Sequence, residues 1–302
     1  MDILSYLENC TLCPRNCHAN RRYGTVGFCG QGASIRAARA ALHFWEEPII
    51  SGKEGSGAVF FSGCNLRCIF CQNHEIAIGE CGKEISLERL SDIFLELQDK
   101  GANNINLVTG APYVPFIVKA LKVSKTKGLA IPILYNSSGY ESIESLKMMD
   151  GLIDIYMPDM KYYSSNLSRE FSNAPDYFEV ASLAISEMYR QVGPPKLSED
   201  GSLLKSGMIV RHLLLPDQAK DSKKVLRYLY ETYGDNIYIS IMSQYTPLSN
   251  VKSHPILGRK ISNEEYDKVV NFAIRLGITN AFIQEGEAAS ESFIPAFDYE
   301  GI

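Results

Sequence analysis

The chain has 302 residues, 45% of them hydrophobic and 22% charged, with a formal net charge of −5. That composition can bury a sizeable core, and the acidic balance without a dense basic run argues against a nucleic-acid partner. The N-terminal "MDILSYLENCTLCPRNC" has no basic segment leading into an apolar one, and no run reaches the roughly 18 apolar residues of a membrane span. The expectation is a cytoplasmic protein with no membrane partner.

Residues 1–50 differ from the rest. They carry Cys10, Cys13, Cys17 and Cys29, a basic group of Arg15, Arg21, Arg22, Arg36 and Arg39, and little periodicity. This reads as a small cysteine-rich N-terminal metal-binding unit that needs a staple in place of a core. "SGKEGSG", 51–57, reads as the junction to a second unit spanning 51–302. From there, β-prone apolar runs alternate with helical patterns. "GAVFFSG" (57–63) reads as a strand. "SLERLSDIFLELQDKG" (86–101) reads as a helix with Ser86 as N-cap and Gly101 as its stop. Strands at 104–110, 131–139, 153–162, 208–216 and 236–245 alternate with helices at 114–128, 141–151, 164–193, 221–234 and 262–277. A hairpin or loop is expected around Asp200-Gly201, and a further short strand at 280–285. Continuous apolar strands between helices imply a parallel sheet covered on both faces. Six such units give an α/β fold, a partial (β/α)6 TIM-like barrel, with functional groups at the carboxyl ends of the strands.

"FFSGCNLRCIFCQNHE" (60–75) follows the first of these strands and holds Cys64, Cys68 and Cys71 in C-x3-C-x2-C spacing. Eight cysteines in a cytosolic chain point to metal or redox chemistry instead of disulfides. Thiolates are soft ligands for zinc, copper(I) or iron–sulfur clusters. A zinc site needs a fourth ligand, for which His74 is near in sequence; a [4Fe–4S] cluster on three thiolates keeps one iron open.

"CNLRCIFC", with aromatic Phe70 before the third cysteine, resembles the signature of radical S-adenosylmethionine (SAM) enzymes. "LYNSSGY", "DGLIDIYMPDMKYY", "VRHLLLP" and "IMSQYTP" extend the likeness over nearly the whole chain, to the pyruvate formate-lyase-activating-enzyme-like (PflX-type) subfamily. The "GKEGSGAVFF" lead lacks the arginine of the activases, so the subfamily name says little about substrate. The resemblance implies a [4Fe–4S] cluster on Cys64, Cys68 and Cys71, and SAM chelating the fourth iron. It also implies reductive cleavage of SAM to a 5′-deoxyadenosyl radical, which abstracts hydrogen from a substrate, and a flavodoxin- or ferredoxin-type electron donor. The substrate is open: a protein, a peptide or a small molecule.

By the same resemblance, Phe70, Gln72 and Asn73 would border the cofactor, and Thr109-Gly110 stands where the family carries a glycine-rich segment with an acidic residue. Asn136 and Ser138, on one strand face, would reach the SAM ribose or carboxylate, although turn chemistry favours these residues too. Asp159 and Lys161 would hold SAM or substrate, or simply pair with each other. Arg211 would grip a carboxylate; His212, facing the other way, reads as a core histidine. Gln244 and Tyr245 would touch SAM or substrate, or pack.

Cys10, Cys13, Cys17 and Cys29 form a complete tetrathiolate, suited equally to a second [4Fe–4S] cluster or to zinc. Cys81 is an unassigned thiol. Three functions follow: a radical SAM enzyme with a distinct substrate, a glycyl-radical-enzyme activase acting on a partner protein, and a non-enzymatic zinc-stapled interaction module. The acidic balance and barrel pattern speak against the last.

Overall fold

The computed structural model describes residues 3–284 and 295–302. In chain order its elements begin with α1 (Ile3–Glu8), β1 (Ile35–His43), α2 (Pro48–Ser51), β2 (Ser56–Phe61), α3 (His74–Ala77), β3 (Lys83–Ile85) and α4 (Leu87–Asp99). There follow β4 (Ile105–Val108), α5 (Val114–Thr126), β5 (Ile133–Ser137), α6 (Ile143–Met148), β6 (Ile155–Pro158), α7 (Ser165–Ser172) and α8 (Tyr177–Val192). The last are β7 (Lys196–Leu197), β8 (Leu204–Leu213), α9 (Ala219–Tyr233), β9 (Tyr238–Met242), α10 (Asn263–Leu276) and β10 (Ala281–Ile283).

Strands β2, β4, β5, β6, β8, β9 and β10 run parallel in that order. β1 and β3 extend the sheet beyond β2 in the antiparallel sense, and β7 forms a hairpin arm on β8. Among the described residues β10 does not pair back to β3, so the barrel stays open. This is the expected partial barrel, with β10 as a seventh parallel strand.

Every residue of β2, β4, β5 and β6 is buried, as strands covered on both faces must be. Period-two alternation sends Val59, Phe61, Leu107, Ile133, Tyr135, Tyr156 and Val210 outward under the helices. Leu134, Ile155, Met157 and Ile209 turn inward and close the barrel floor with Ile50 and Leu204. Each such fully buried side chain contributes about 1.5–3 kcal/mol. The helices end where their caps allow. Ser86 accepts from the Arg89 amide at the start of α4, and Ser262 and Glu265 form a reciprocal capping box on α10.

Two segments follow the sequence pattern, the hairpin at 195–207 and the strand at 280–285, and two depart from it, 164–193 and 35–43. Residues 164–193 form two helices, because Asn173 adopts a left-handed φ of 48° that ends α7. The loop at 195–207 is a hairpin whose second arm is already β8, turned by the Ser198 amide bonding to the Leu203 carbonyl. Of the strand expected at 280–285, residues 281–283 form β10, and Glu285 lies outside the described residues. Ile35–His43, within the stretch that shows little periodicity, is a nine-residue strand on β2. The alanine pairs Ala37-Ala38 and Ala40-Ala41 are buried, while Arg36 and Arg39 precede each pair and disguise the pattern. The Arg36 guanidinium donates to the Gly79 and Gly82 carbonyls; Arg39 pairs with Asp298 and Glu300. Backbone bonds from Tyr299 to Ala38 and from Ala40 to Glu300 lay the C-terminal residues along β1 and cover its edge.

Candidate active site

A cavity of about 220 Å³ lies at the carboxyl ends of the parallel strands. Its wall takes Cys64, Cys68 and Cys71 from the loop after β2, Thr109 from the end of β4, and Asn136 and Ser138 from the end of β5. Asp159 and Lys161 follow β6, Arg211 comes from β8 and Gln244 follows β9. Residues from six strands meet at one place because the sheet is parallel and each βα turn opens on the same side.

The cysteine loop turns through Arg67, whose φ of 50° is left-handed. The Leu66 amide donates to Cys64 Sγ at 3.3 Å, and Ser172 Oγ donates to Cys68 Sγ at 3.0 Å. Burial pushes the three thiols up, Cys71 to about 12 with Cys68 and Cys64 adding to the effect. Loading with metal must therefore release protons. The thiols line one cavity, and among the described residues no group of three Cys, His, Asp or Glu side chains is placed to hold a single ion. His74, the fourth ligand of a zinc reading, stands outside the cavity wall, on α3. Three thiols with hydrogen-bond donors aimed at two of them, a lysine nearby and no fourth protein ligand suit a cluster with one open position.

Beside the thiols is a charged network. Arg211 donates from Nε to Asp159 at 3.0 Å, from Nη1 to Glu46 at 3.2 Å and from Nη2 to Asn136 Oδ1 at 2.7 Å. Lys161 Nζ donates to the other Asp159 oxygen at 2.5 Å. Burial works against the charges of all three. Arg211 and Lys161 nevertheless outweigh it at Asp159 and hold that carboxyl below its usual range. Asp159 and Cys68 outweigh it at Lys161, which is pushed up to about 12. Two cations and two carboxylates thus pair with one another at the cavity wall. Glu46 also accepts from Asn106 and Asn136. It enters the barrel from the turn after β1, in the stretch read as part of a separate metal unit, and no motif marks it.

The remaining candidates divide. Phe70 lines the cavity and packs edge-on against Phe171 and Tyr245. Gln72 Nε2 bonds the Gln244 carbonyl at 3.0 Å, joining the cysteine loop to the end of β9. Asn73, Ser138 and Gln244 are in the wall. Thr109 is there too, at φ 61°, a costly conformation for a β-branched residue. Gly110 is not: a Cβ on it would meet Ile117 Cδ1 at 2.7 Å, on the side of the packed helices. Tyr245 is also outside, with its hydroxyl donating to the Leu257 carbonyl at 2.6 Å. His212 faces away from the cavity and is fully packed, with Nδ1 2.7 Å from the Met160 carbonyl, and burial lowers it to about 4. His43 and Trp45 join the wall from the end of β1 and the turn after it. Neither carries a sequence signal.

Residues 58–201 match the model of the radical SAM superfamily, a span that begins in β2 and includes the three cavity thiols. The chain carries a radical SAM domain. It is 26% identical over 275 residues to an uncharacterized protein of Methanocaldococcus jannaschii, covering 88% of this chain and 74% of that one. To the pyruvate formate-lyase-activating enzyme of Clostridium pasteurianum it is 25% identical over 206 residues, 65% of this chain and 84% of the enzyme. The [FeFe]-hydrogenase maturase HydG of Carboxydothermus hydrogenoformans shares the fold at a TM-score of 0.51 and 16% identity, over 70% of this chain. This radical SAM chain spans 48% of that structure. The family is one of enzymes whose cofactors are a [4Fe–4S] cluster and SAM, which sets aside the interaction-module reading. Among the described residues no helix is long and apolar enough to cross a membrane.

Proposed function

We propose that this enzyme cleaves SAM reductively at Cys64, Cys68 and Cys71 and uses the resulting radical on a substrate other than SAM. One observation carries the reading: the three thiols share a cavity with a preformed network of paired charged side chains. The cluster, when bound, supplies an open iron for the SAM amino and carboxylate groups and the electron that breaks a C–S bond, giving methionine and a 5′-deoxyadenosyl radical. This chain's residues do the rest. In this reading Lys161 and Arg211 receive a carboxylate, and Asp159 and Glu46 balance an ammonium or sulfonium charge. Asn136, Ser138 and Gln244 offer hydrogen bonds to ribose, and Phe70, Val108 and Leu213 give apolar wall that keeps water from a radical.

The test is anaerobic: protein, dithionite and SAM, with 5′-deoxyadenosine as the product. Cys68→Ala is expected to abolish the product while the far-ultraviolet spectrum stays native. Undiminished product from that variant would overturn the assignment. A second reading, generation of a glycyl radical on a partner protein, is favoured by the likeness to the activating enzyme of Clostridium pasteurianum. The missing lead arginine weighs against it. A glycyl-radical signal in a supplied partner would establish it.

A further inference from the structure

The loop between α1 and β1 gathers a second set of thiols. Cys10, Cys13, Cys17 and Cys29 line one small cavity together with Arg15 and Arg21. Cys10 and Cys29 are buried and Cys17 is exposed. The loop is folded for this. Amide bonds from Cys10 to Ala19 and from His18 to Cys10 close it on itself, and Asn16 and His18 take left-handed φ values. Gly27 leaves room for the third thiol, because a Cβ there would lie 2.3 Å from Cys17 Sγ.

Arg21 is the second, independent observation. It is only 2% exposed. Its Nε donates to the Gly32 carbonyl at 2.8 Å and its Nη1 to the Pro112 carbonyl at 2.7 Å. Its Nη2 is buried with no partner, and among the described residues no carboxylate pairs with it. A buried cation with an idle donor is strongly unfavourable in a neutral pocket. Four neutral thiols leave it so; four thiolates around a metal centre carry the compensating charge and accept the idle N–H.

We propose that Cys10, Cys13, Cys17 and Cys29 hold a second iron–sulfur cluster, with Arg21 as its buried counter-charge and hydrogen-bond donor. Iron–sulfur is preferred to zinc because the four thiols adjoin the first site and have an edge open to an electron donor, whereas zinc has no redox chemistry. The site adjoins the first. Arg15, two residues after Cys13, donates to the Asn65 carbonyl at 2.8 Å and the Ser172 carbonyl at 3.1 Å. Asn65 follows Cys64, and Ser172 bonds Cys68. The exposed Cys17 edge faces solvent, where a one-electron donor of ferredoxin or flavodoxin type can approach. Such a donor loses one electron and the cluster gains one; no bond or proton moves.

The deciding experiment is metal and sulfide analysis of anaerobically purified protein, wild type and the Cys64→Ala/Cys68→Ala/Cys71→Ala variant. The variant is expected to keep about four irons and four sulfides with a reducible cluster spectrum, from a wild-type total of about eight. Zinc in place of iron, or no metal, in the folded variant overturns the proposal. Should that variant not fold, a wild-type total of about four irons overturns it and about eight upholds it. In the triple variant, Arg21→Met is expected to move the cluster's midpoint potential to a more negative value, since the reduced form carries the greater negative charge. An unchanged potential removes Arg21 from the site.

Discussion

Asp159 is the point where the charge balance of the cavity can be tested by number. It accepts from Lys161 at 2.5 Å and from Arg211 at 3.0 Å, and all three side chains are at least four-fifths buried. Asp159→Asn keeps the shape but leaves the network one positive charge in excess. Each charge-assisted bond is worth about 1.5–3 kcal/mol, and breaking a buried pair from one side costs about 3–5 kcal/mol. Glu46 still holds Arg211, and the Asn oxygen still accepts one bond, so a loss near the lower end, about 3 kcal/mol, is expected. The assay is anaerobic urea unfolding of the metal-loaded protein, read as a shift in midpoint at constant slope. Lys161→Met supplies the second arm of a double-mutant cycle. In the double variant the surplus charge is gone, so its loss should be smaller than the sum of the singles by at least about 1.5 kcal/mol. The variant should also bind SAM at least about tenfold more weakly, equivalent to about 1.4 kcal/mol. Additive stabilities within about 0.5 kcal/mol would show that Asp159 and Lys161 do not act as one unit, and the argument from charge balance would fail.

Burial raises Glu141 from 4.5 to about 8, so the folded protein keeps a proton that the unfolded chain has released. Stability from this group is therefore lost as pH rises between those values, by up to about 1.4 kcal/mol per pH unit; Glu141→Gln should flatten that slope, and equal slopes for both proteins between pH 6 and 8.5 would refute it. Arg15 donates three bonds to the carbonyls of Asn65, Asn173 and Ser172. Arg15→Met should cost about 2–4 kcal/mol in urea unfolding, at about 1 kcal/mol or more for each bond. Gly27→Ala places a carbon against Cys17 Sγ and should lower the metal content of the N-terminal thiols at an unchanged content of Cys64, Cys68 and Cys71, measured as iron and zinc per chain.

The barrel was legible because its strands are uninterrupted apolar runs, such as "GAVFF" and "IDIYMP", between helices with visible caps at Ser86 and Ser262. The cysteine triplet was legible because local spacing alone defines it. Polar residues at strand ends were legible wherever period two put them inward: Asn136, Asp159 and Arg211 all face the cavity. The same reasoning misplaced Gly110 and Tyr245, each one residue beyond an inward position, where the chain leaves the strand and the alternation stops. β1 was hidden because its buried residues are mostly alanines set in adjacent pairs, each preceded by an arginine, with a bulge that breaks the period of two. With β1 unread, Glu46 had no position from which to reach Arg211, 165 residues away in sequence.

Glu46 also bears on how the two parts of the chain depend on each other. The parallel strands from β2 onward bring Asp159, Lys161 and Arg211 together, but those three sum to one positive charge. A second carboxylate partner for Arg211 comes from Glu46, which reaches it at 3.2 Å only because β1 lies antiparallel on β2 and its following turn enters the barrel. From the other side of the same segment, Arg15 fastens the N-terminal thiol loop to the turns next to Cys64 and Cys68. The residues before β2 thus touch the site twice, at the charged wall and behind the thiols. A chain begun at residue 51 would keep every strand of the parallel sheet, yet it would leave Arg211 short of a buried partner, a loss of about 3–5 kcal/mol, and the cysteine loop without its anchor. The first fifty residues thus line the barrel's cavity as well as carrying a candidate second metal centre.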